Sequence, residues 1–273
     1  MKTLKSFTEI INLYDVFLFD QWGVLHNGYD KFIKAEKCLQ LLKELNKKVI
    51  LISNSSNPTQ HSINNLKKIG YSQSLYNYCI TSGEIALKAL QSDIYKIYGN
   101  KCYPLKLSKE KINIFNLKCT HNINKANFAM IADLSNNLNI LDFVEDLDLM
   151  MKNNLPLFCS NPDYMVYNKK KLSMAGGTIA QLYEDMGGKV YRYGKPFKPI
   201  YENIIKNQNI TKNKRVLVIG DSLWHDIAGG NEMGFDSLWI KNGVHKPQLL
   251  KKKEIDPLIS KYKPKYAISD LKL

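Results

Sequence analysis

The chain has 273 residues, 44% hydrophobic and 11% aromatic, which is enough for one or two folded domains. The formal net charge is +14, but only Arg192 and Arg215 among the 39 basic residues are arginine; lysine lacks the forked guanidinium that reads phosphates and bases, so nucleic acid is not an expected partner. No run reaches the roughly 18 apolar residues of a membrane span. The N-terminus MKTLKSFTEIINLYD lacks the apolar stretch of a signal peptide. Cys38, Cys79, Cys102, Cys119 and Cys159 have no close spacing, which disfavours a disulfide framework or a zinc site. A reduced cytoplasmic protein is expected, with no membrane partner.

In chain order, VFLFD (Val16–Asp20) reads as a buried strand ended by an acid. KAEKCLQLLKEL follows, with Ala35, Cys38, Leu42 and Leu45 on one helical face. VILIS (Val49–Ser53) is a second strand, ending in NSSNP, and a helix then runs to Gly70 as its cap. CITS (Cys79–Ser82) reads as a third strand, with Thr81 and Glu84 forming a capping box. YKIYG (Tyr95–Gly99) and FAMIAD (Phe128–Asp133) read as strands. ILDFVEDLDLMM reads as a helix, and LFCSNPD as a strand and loop before a helix entered through AGGTIAQLYEDM. After Gly188 the first pattern returns: VYRYGKP, a helix from near Pro199, the strand in KRVLVIGDS, and DSLWI. The tail from Lys246 is lysine-rich and weakly patterned. Alternating strands and helices predict an α/β fold: a parallel-sheet core interrupted by an inserted domain.

Three predicted core strands end in polar groups: Asp20, Ser53–Asn54 and Asp221. Open parallel sheets bind ligands at the carboxyl ends of their strands, so these groups would meet. Two carboxylates there repel each other and need a counter-charge. Mg²⁺ fits, since it takes one or two carboxylates plus water and phosphate oxygens. Lys195, in Gly-Lys-Pro, adds a point positive charge. Taken singly, each has an ordinary role, the aspartates as helix or turn formers, Ser53 and Asn54 as turn residues, Lys195 as a surface lysine. Together they make a phosphoryl-transfer constellation.

FDQWGV, ILISNSS, YGKP and IGDSLWHD resemble, in order, the four motifs of the haloacid dehalogenase superfamily. ITSGE, CSNPD and AGGTIAQLYEDMGG resemble its NagD-like, class IIA phosphatase branch. The likeness spans roughly residues 14–245. It implies a doubly wound, Rossmann-like core over residues 1–82 and 190–273, with an α/β class II cap over 83–189. By position it implies Asp20 as nucleophile and Mg²⁺ ligand, the Trp22 main-chain carbonyl and Asp221 as further ligands, and Asp226 as a ligand or orienter. Ser53 and Asn54 would hold phosphoryl oxygens, and Lys195 would neutralise charge. Asn161, Asp163 and the Ala175–Gly177 loop, centred on Gly176, match cap positions facing the substrate. A plain turn before a helix accounts for that loop equally well.

One position departs from the pattern. The superfamily's phosphatases carry a second aspartate two residues after the nucleophile, as general acid and base, and here it is Trp22. That help is worth ~10²–10⁴-fold. Three consequences are open: dependence on good leaving groups, a borrowed base with His26 and His225 the nearest candidates, or transfer to an acceptor other than water. An ordinary core or loop role fits the histidines better. Trp224, also where relatives carry a polar residue, is expected to pack, or with Trp22 to wall the site against water. The expected activity is Mg²⁺-dependent hydrolysis of a small phosphorylated metabolite, a sugar phosphate, nucleotide or aryl phosphate. A phosphotransferase and a weakened phospholigand-binding protein are the alternatives. The resemblance also suggests a homodimer paired through the caps.

Overall fold

The structure is a computed structural model describing residues 1–135, 137–168 and 171–273. The chain forms two compact units. The first comprises residues 1–53, 60–80 and 195–273, the second residues 54–59 and 81–194.

The first unit is built on a seven-stranded sheet in the order Lys2–Thr3, Tyr266–Ile268, Asp236–Ile240, Val216–Gly220, Val16–Asp20, Lys48–Ser53, Tyr78–Thr81. From Lys2–Thr3 through Lys48–Ser53 every neighbouring pair is parallel. Such strands are apolar throughout because both faces are covered. Side chains alternate accordingly: Leu238 and Ile240 join Phe17, Phe19, Leu217 and Ile219 in one cluster, while Trp239 packs with Leu223, Ile227 and Ala267 in another. This is the doubly wound α/β core. The Ile33–Glu44 helix buries Ala35, Cys38, Leu39 and Leu42. Leu45, expected on that face, is the C-cap and is 43% exposed.

The second unit has its own parallel sheet, in the order Val190–Arg192, Leu157–Cys159, Phe128–Ile131, Lys101–Pro104, Lys118–Cys119. The helix Gly176–Asp185 buries Ile179, Ala180 and Tyr183 against Ala129, Ile131, Leu157 and Cys159. Met165–Asn168 and Lys171–Met174 form an antiparallel hairpin.

Four expectations are corrected. Residues 190–194 belong to the second unit, not to the core segment 190–273, because Val190–Arg192 pairs with Leu157–Cys159. Residues 54–59 also leave the core segment, since Gly83 N donates to Ser55 O and Thr81 Oγ1 to Asn57 O. Tyr95–Tyr98 is helical, continuing Ser82–Ala89 and the π-turn Leu90–Ile94 until Gly99 stops it at φ +95°. Glu84 N donates to Thr81 Oγ1, but the Glu84 carboxylate accepts from Thr59 N, so the capping box is not closed. The weakly patterned tail forms a helix, Lys252–Tyr262, and a strand, Tyr266–Ile268, inserted between the Lys2–Thr3 and Asp236–Ile240 strands. That strand is only three residues long, too short for a periodicity to be read.

Candidate active site

In the first unit Asp20 ends the Val16–Asp20 strand, and Asp221 follows the end of the adjacent Val216–Gly220 strand. Their register, Ile219 opposite Phe19, puts both carboxylates at one sheet edge. The chain then turns through the π-helical Leu223–Ile227, a form often found at functional sites, which carries Asp226. Carboxylate oxygens of Asp20, Asp221 and Asp226 all lie within 4.8 Å of one another. Lys195 ties two of them: its Nζ is 2.5 Å from Asp20 Oδ1 and 2.7 Å from Asp226 Oδ1. All four side chains are buried.

Backbone donors and close packing hold the carboxylates. Asp226 Oδ2 accepts from Ser222 N at 3.0 Å, and Asp221 Oδ2 from Val244 N at 2.7 Å. Trp239 Nε1 donates to the Asp221 carbonyl, fixing the turn that presents Asp221. A β-carbon on Gly23 would lie 2.2 Å from Asp221 Oδ2, and one on Gly243 would lie 2.1 Å from the same oxygen. Only glycine allows backbone so close on both sides.

Three carboxylates and one lysine leave this buried cluster net negative. Burial, then Asp20 and Asp226, push the Asp221 carboxyl well above its ordinary value. Burial raises Asp226 to about 6, with Lys195 opposing. An all-oxygen set carrying uncompensated negative charge fits a hard divalent cation.

The remaining expected residues are placed as follows. Ser53 ends the neighbouring strand, one residue beyond the partner of Asp20. Asn54 falls in the second unit, where its amide donates to Asp163 Oδ1 at 2.7 Å. Asp163 N donates to Asn161 Oδ1. Gly176 and Gly177 sit against backbone, with added β-carbons 2.4 Å from Ala132 O and 2.1 Å from Pro162 O. Close packing alone therefore requires glycine there. The Trp22 side chain, 37% exposed, lies over Gly28 with its ring edge against His26. Trp224 packs instead against His245, ring centroids 4.4 Å apart.

His26 and His225 are buried, and burial lowers each to about 4. His26 Nδ1 accepts from Gly28 N, and His225 bonds to the Lys195 backbone. Both are neutral and engaged in loop geometry.

Sequence reasoning missed a second polar cluster. In the second unit Asp133 accepts from Ser56 Oγ at 2.5 Å and Asn161 Nδ2 at 2.7 Å, and pairs with Lys111 at 2.9 Å. Lys111 also donates to Asn57 Oδ1. Asp133 carries the same mark as Asp20, an acid ending an apolar run. Nothing in the sequence singles out Lys111.

A parallel α/β core with an aspartate ending its Val16–Asp20 strand and a lysine-bridged acidic cluster points to a hydrolase of the haloacid dehalogenase type. Two family descriptions match: haloacid dehalogenase-like hydrolase at residues 17–110 and HAD-hydrolase-like at residues 192–272. The chain matches this family in both stretches. It is 23% identical to a 4-nitrophenylphosphatase of Schizosaccharomyces pombe over 94% of this chain and 93% of that protein. A haloacid dehalogenase-like hydrolase of Brucella suis superposes with a TM-score of 0.83 at 25% identity, covering 98% of this chain and 99% of the other. A 4-nitrophenylphosphatase of Thermotoga maritima shares the fold, with a TM-score of 0.70 at 20% identity over 96% of each chain.

Proposed function

We propose that the chain is a Mg²⁺-dependent phosphatase of small phosphate monoesters, working through an aspartyl-phosphate on Asp20. The observation that carries this reading is Lys195 bridging Asp20 and Asp226 while Asp221 stands within reach of both.

Asp20, Asp221 and Asp226 would hold the cation, which supplies charge neutralisation at the phosphoryl oxygens. Lys195 pairs with the Asp20 carboxylate and lies where negative charge builds as the ester bond breaks. An Asp20 oxygen attacks phosphorus in line, forming an acyl phosphate as the P–O bond to the alcohol breaks. Water then attacks phosphorus, releasing phosphate and the free Asp20 carboxylate. Ser53 would hold phosphoryl oxygens at the adjacent strand end, with Asn54 next in sequence. Asn161 and Asp163, in the proposed cap, would bear on substrate choice.

Trp22 cannot protonate the leaving oxygen, since indole is only a weak N–H donor. His26 and His225, both neutral and engaged, do not replace it. The leaving group then departs without general-acid help, which favours aryl and other acidic alcohols. The same feature favours a second reading, transfer of the phosphoryl group to an acceptor other than water.

The test is phosphate release from p-nitrophenyl phosphate and a panel of metabolite phosphates with Mg²⁺, beside Asp20→Asn and EDTA controls. Wild-type turnover lost in both controls is expected. Turnover retained by Asp20→Asn would overturn the mechanism, and phosphorylated acceptor appearing faster than free phosphate would select the transferase.

A further inference from the structure

Of the five cysteines, Cys38, Cys79 and Cys159 are buried, and burial pushes each thiol up to about 12. Cys102 and Cys119 are different, because they are neighbours. Cys102 lies in the Lys101–Pro104 strand of the second unit and Cys119 in the Lys118–Cys119 strand at the edge of that sheet. The two strands are parallel, with Cys102 directly opposite Cys119. Directly opposed residues point to the same face, and adjacent strands run about 4.8 Å apart. A disulfide accepts Cα separations of about 4.4–6.8 Å. The two thiols are close enough to perturb each other's ionisation. Cys102 is fully buried, whereas Cys119 is exposed.

We propose that Cys102 and Cys119 form a peroxide-reactive dithiol site, in which exposed Cys119 is attacked first and buried Cys102 closes an intramolecular disulfide. The Cys119 thiolate sulfur attacks one oxygen of a hydroperoxide. The O–O bond breaks, giving a sulfenic acid and releasing water or an alcohol once a proton is taken up. Cys102 sulfur then displaces the sulfenic hydroxyl as a second water. The two thiols lose two electrons together and the peroxide gains them.

Electrostatics suits the order of events. The neighbouring Cys102 thiol pulls Cys119 down to about 7, against burial, so a large fraction is thiolate near neutrality. Burial, then Cys119, push Cys102 well above its ordinary value, so it stays protonated until the sulfenic acid forms beside it. An exposed thiolate with an adjacent resolving thiol is the arrangement that reacts selectively with peroxides. Closure would tether both ends of segment 103–118, which contains the Lys109–Ile114 helix bearing Lys111. The link would therefore join the edge strand to the Lys111–Asp133–Ser56 cluster. The site is independent of the Asp20 chemistry.

The experiment treats the reduced full chain with hydrogen peroxide, blocks remaining thiols with N-ethylmaleimide, cleaves after lysine and analyses the peptides by mass spectrometry. The expected product joins residues 102–106 to residues 119–125, with two of the five thiols lost and recovered by dithiothreitol. Cys119→Ser, at an exposed position, should abolish the peroxide-dependent thiol loss. Cys102→Ala should leave Cys119 as a sulfenic acid that dimedone traps. Five thiols remaining after peroxide, a Cys119 link only between chains, or Cys119 overoxidised in the wild type without the 102–119 peptide would each overturn the proposal.

Discussion

Gly23 and Asp221 are in such close contact that a β-carbon on the glycine would lie 2.2 Å from Asp221 Oδ2. Gly23 also has φ +82°, where a side chain costs about 1–2 kcal/mol. Gly23→Ala should therefore destabilise the protein by at least that amount and push Asp221 out of the acidic cluster. Thermal melting and the Mg²⁺ concentration for half-maximal turnover check this; unchanged Mg²⁺ dependence would remove Asp221 from the proposed metal set.

Lys195 is the only cation ion-paired with the acidic cluster among the described residues. Lys195→Met leaves Asp20 and Asp226 buried without their partner, a loss of about 3–5 kcal/mol for broken buried pairs. Urea unfolding in EDTA should show a drop of this size, partly reversed by Mg²⁺. Turnover should fall at least about 100-fold, the scale of losing one preorganised electrostatic group. Near-wild-type turnover would exclude Lys195 from the charge-neutralising role.

Trp22→Asp places a carboxyl group two residues after Asp20, where the proposed mechanism lacks an acid and base. The side chain is partly exposed and lies over Gly28, so the change costs packing at the loop but leaves the sheet intact. Alkyl phosphates, whose leaving groups need a proton, should gain about 10²–10⁴-fold in kcat. p-Nitrophenyl phosphate should gain much less, and the ratio of the two rates is the measurement. Equal effects on both substrates would show that leaving-group protonation is not limiting.

Stability should fall as pH drops from about 6.5 to 4. His26, His225 and His245 are each lowered by burial from 6.5 to about 4, so across this window the unfolded chain binds protons that the folded one refuses. Asp221 and Asp226 oppose them. Both are raised from 3.8, Asp226 to about 6, so the folded protein keeps protons there and loses stability as pH rises. The three histidines outnumber the two aspartates, and each proton of excess is worth about 1.4 kcal/mol per pH unit. Saturating Mg²⁺ would hold the aspartates ionised and remove their opposition. Melting temperatures in EDTA and in Mg²⁺ should both fall with acid, more steeply with Mg²⁺; a flat or inverted profile in EDTA would contradict this balance.

Much of the first unit was legible in the chain. Val16–Asp20, Val49–Ser53 and Val216–Gly220 are runs of apolar residues because a parallel strand covered on both faces has no polar side to show, and the acid or hydroxyl that ends or directly follows each run marks the edge where ligands bind. Asp20, Asp221, Asp226 and Lys195 could be named because they recur in a familiar order. Hydrophobic pattern failed where tertiary pairing decides: Val190–Arg192 joins the second sheet only because Leu157–Cys159 offers it an edge, and Tyr95–Tyr98 is helical because the preceding helix runs on into it.

By itself, the sequence determined the family, the α/β class and the identity of the acidic residues, because these depend on local pattern and residue type. Tertiary structure alone decided that Lys195, one lysine among many, bridges Asp20 and Asp226, that Lys111 meets Asp133, and that Cys102 faces Cys119. Charge pairing and thiol chemistry act over a few ångströms of space. Residues 17 to 175 positions apart reach that distance only when strand register and crossover connections bring them together.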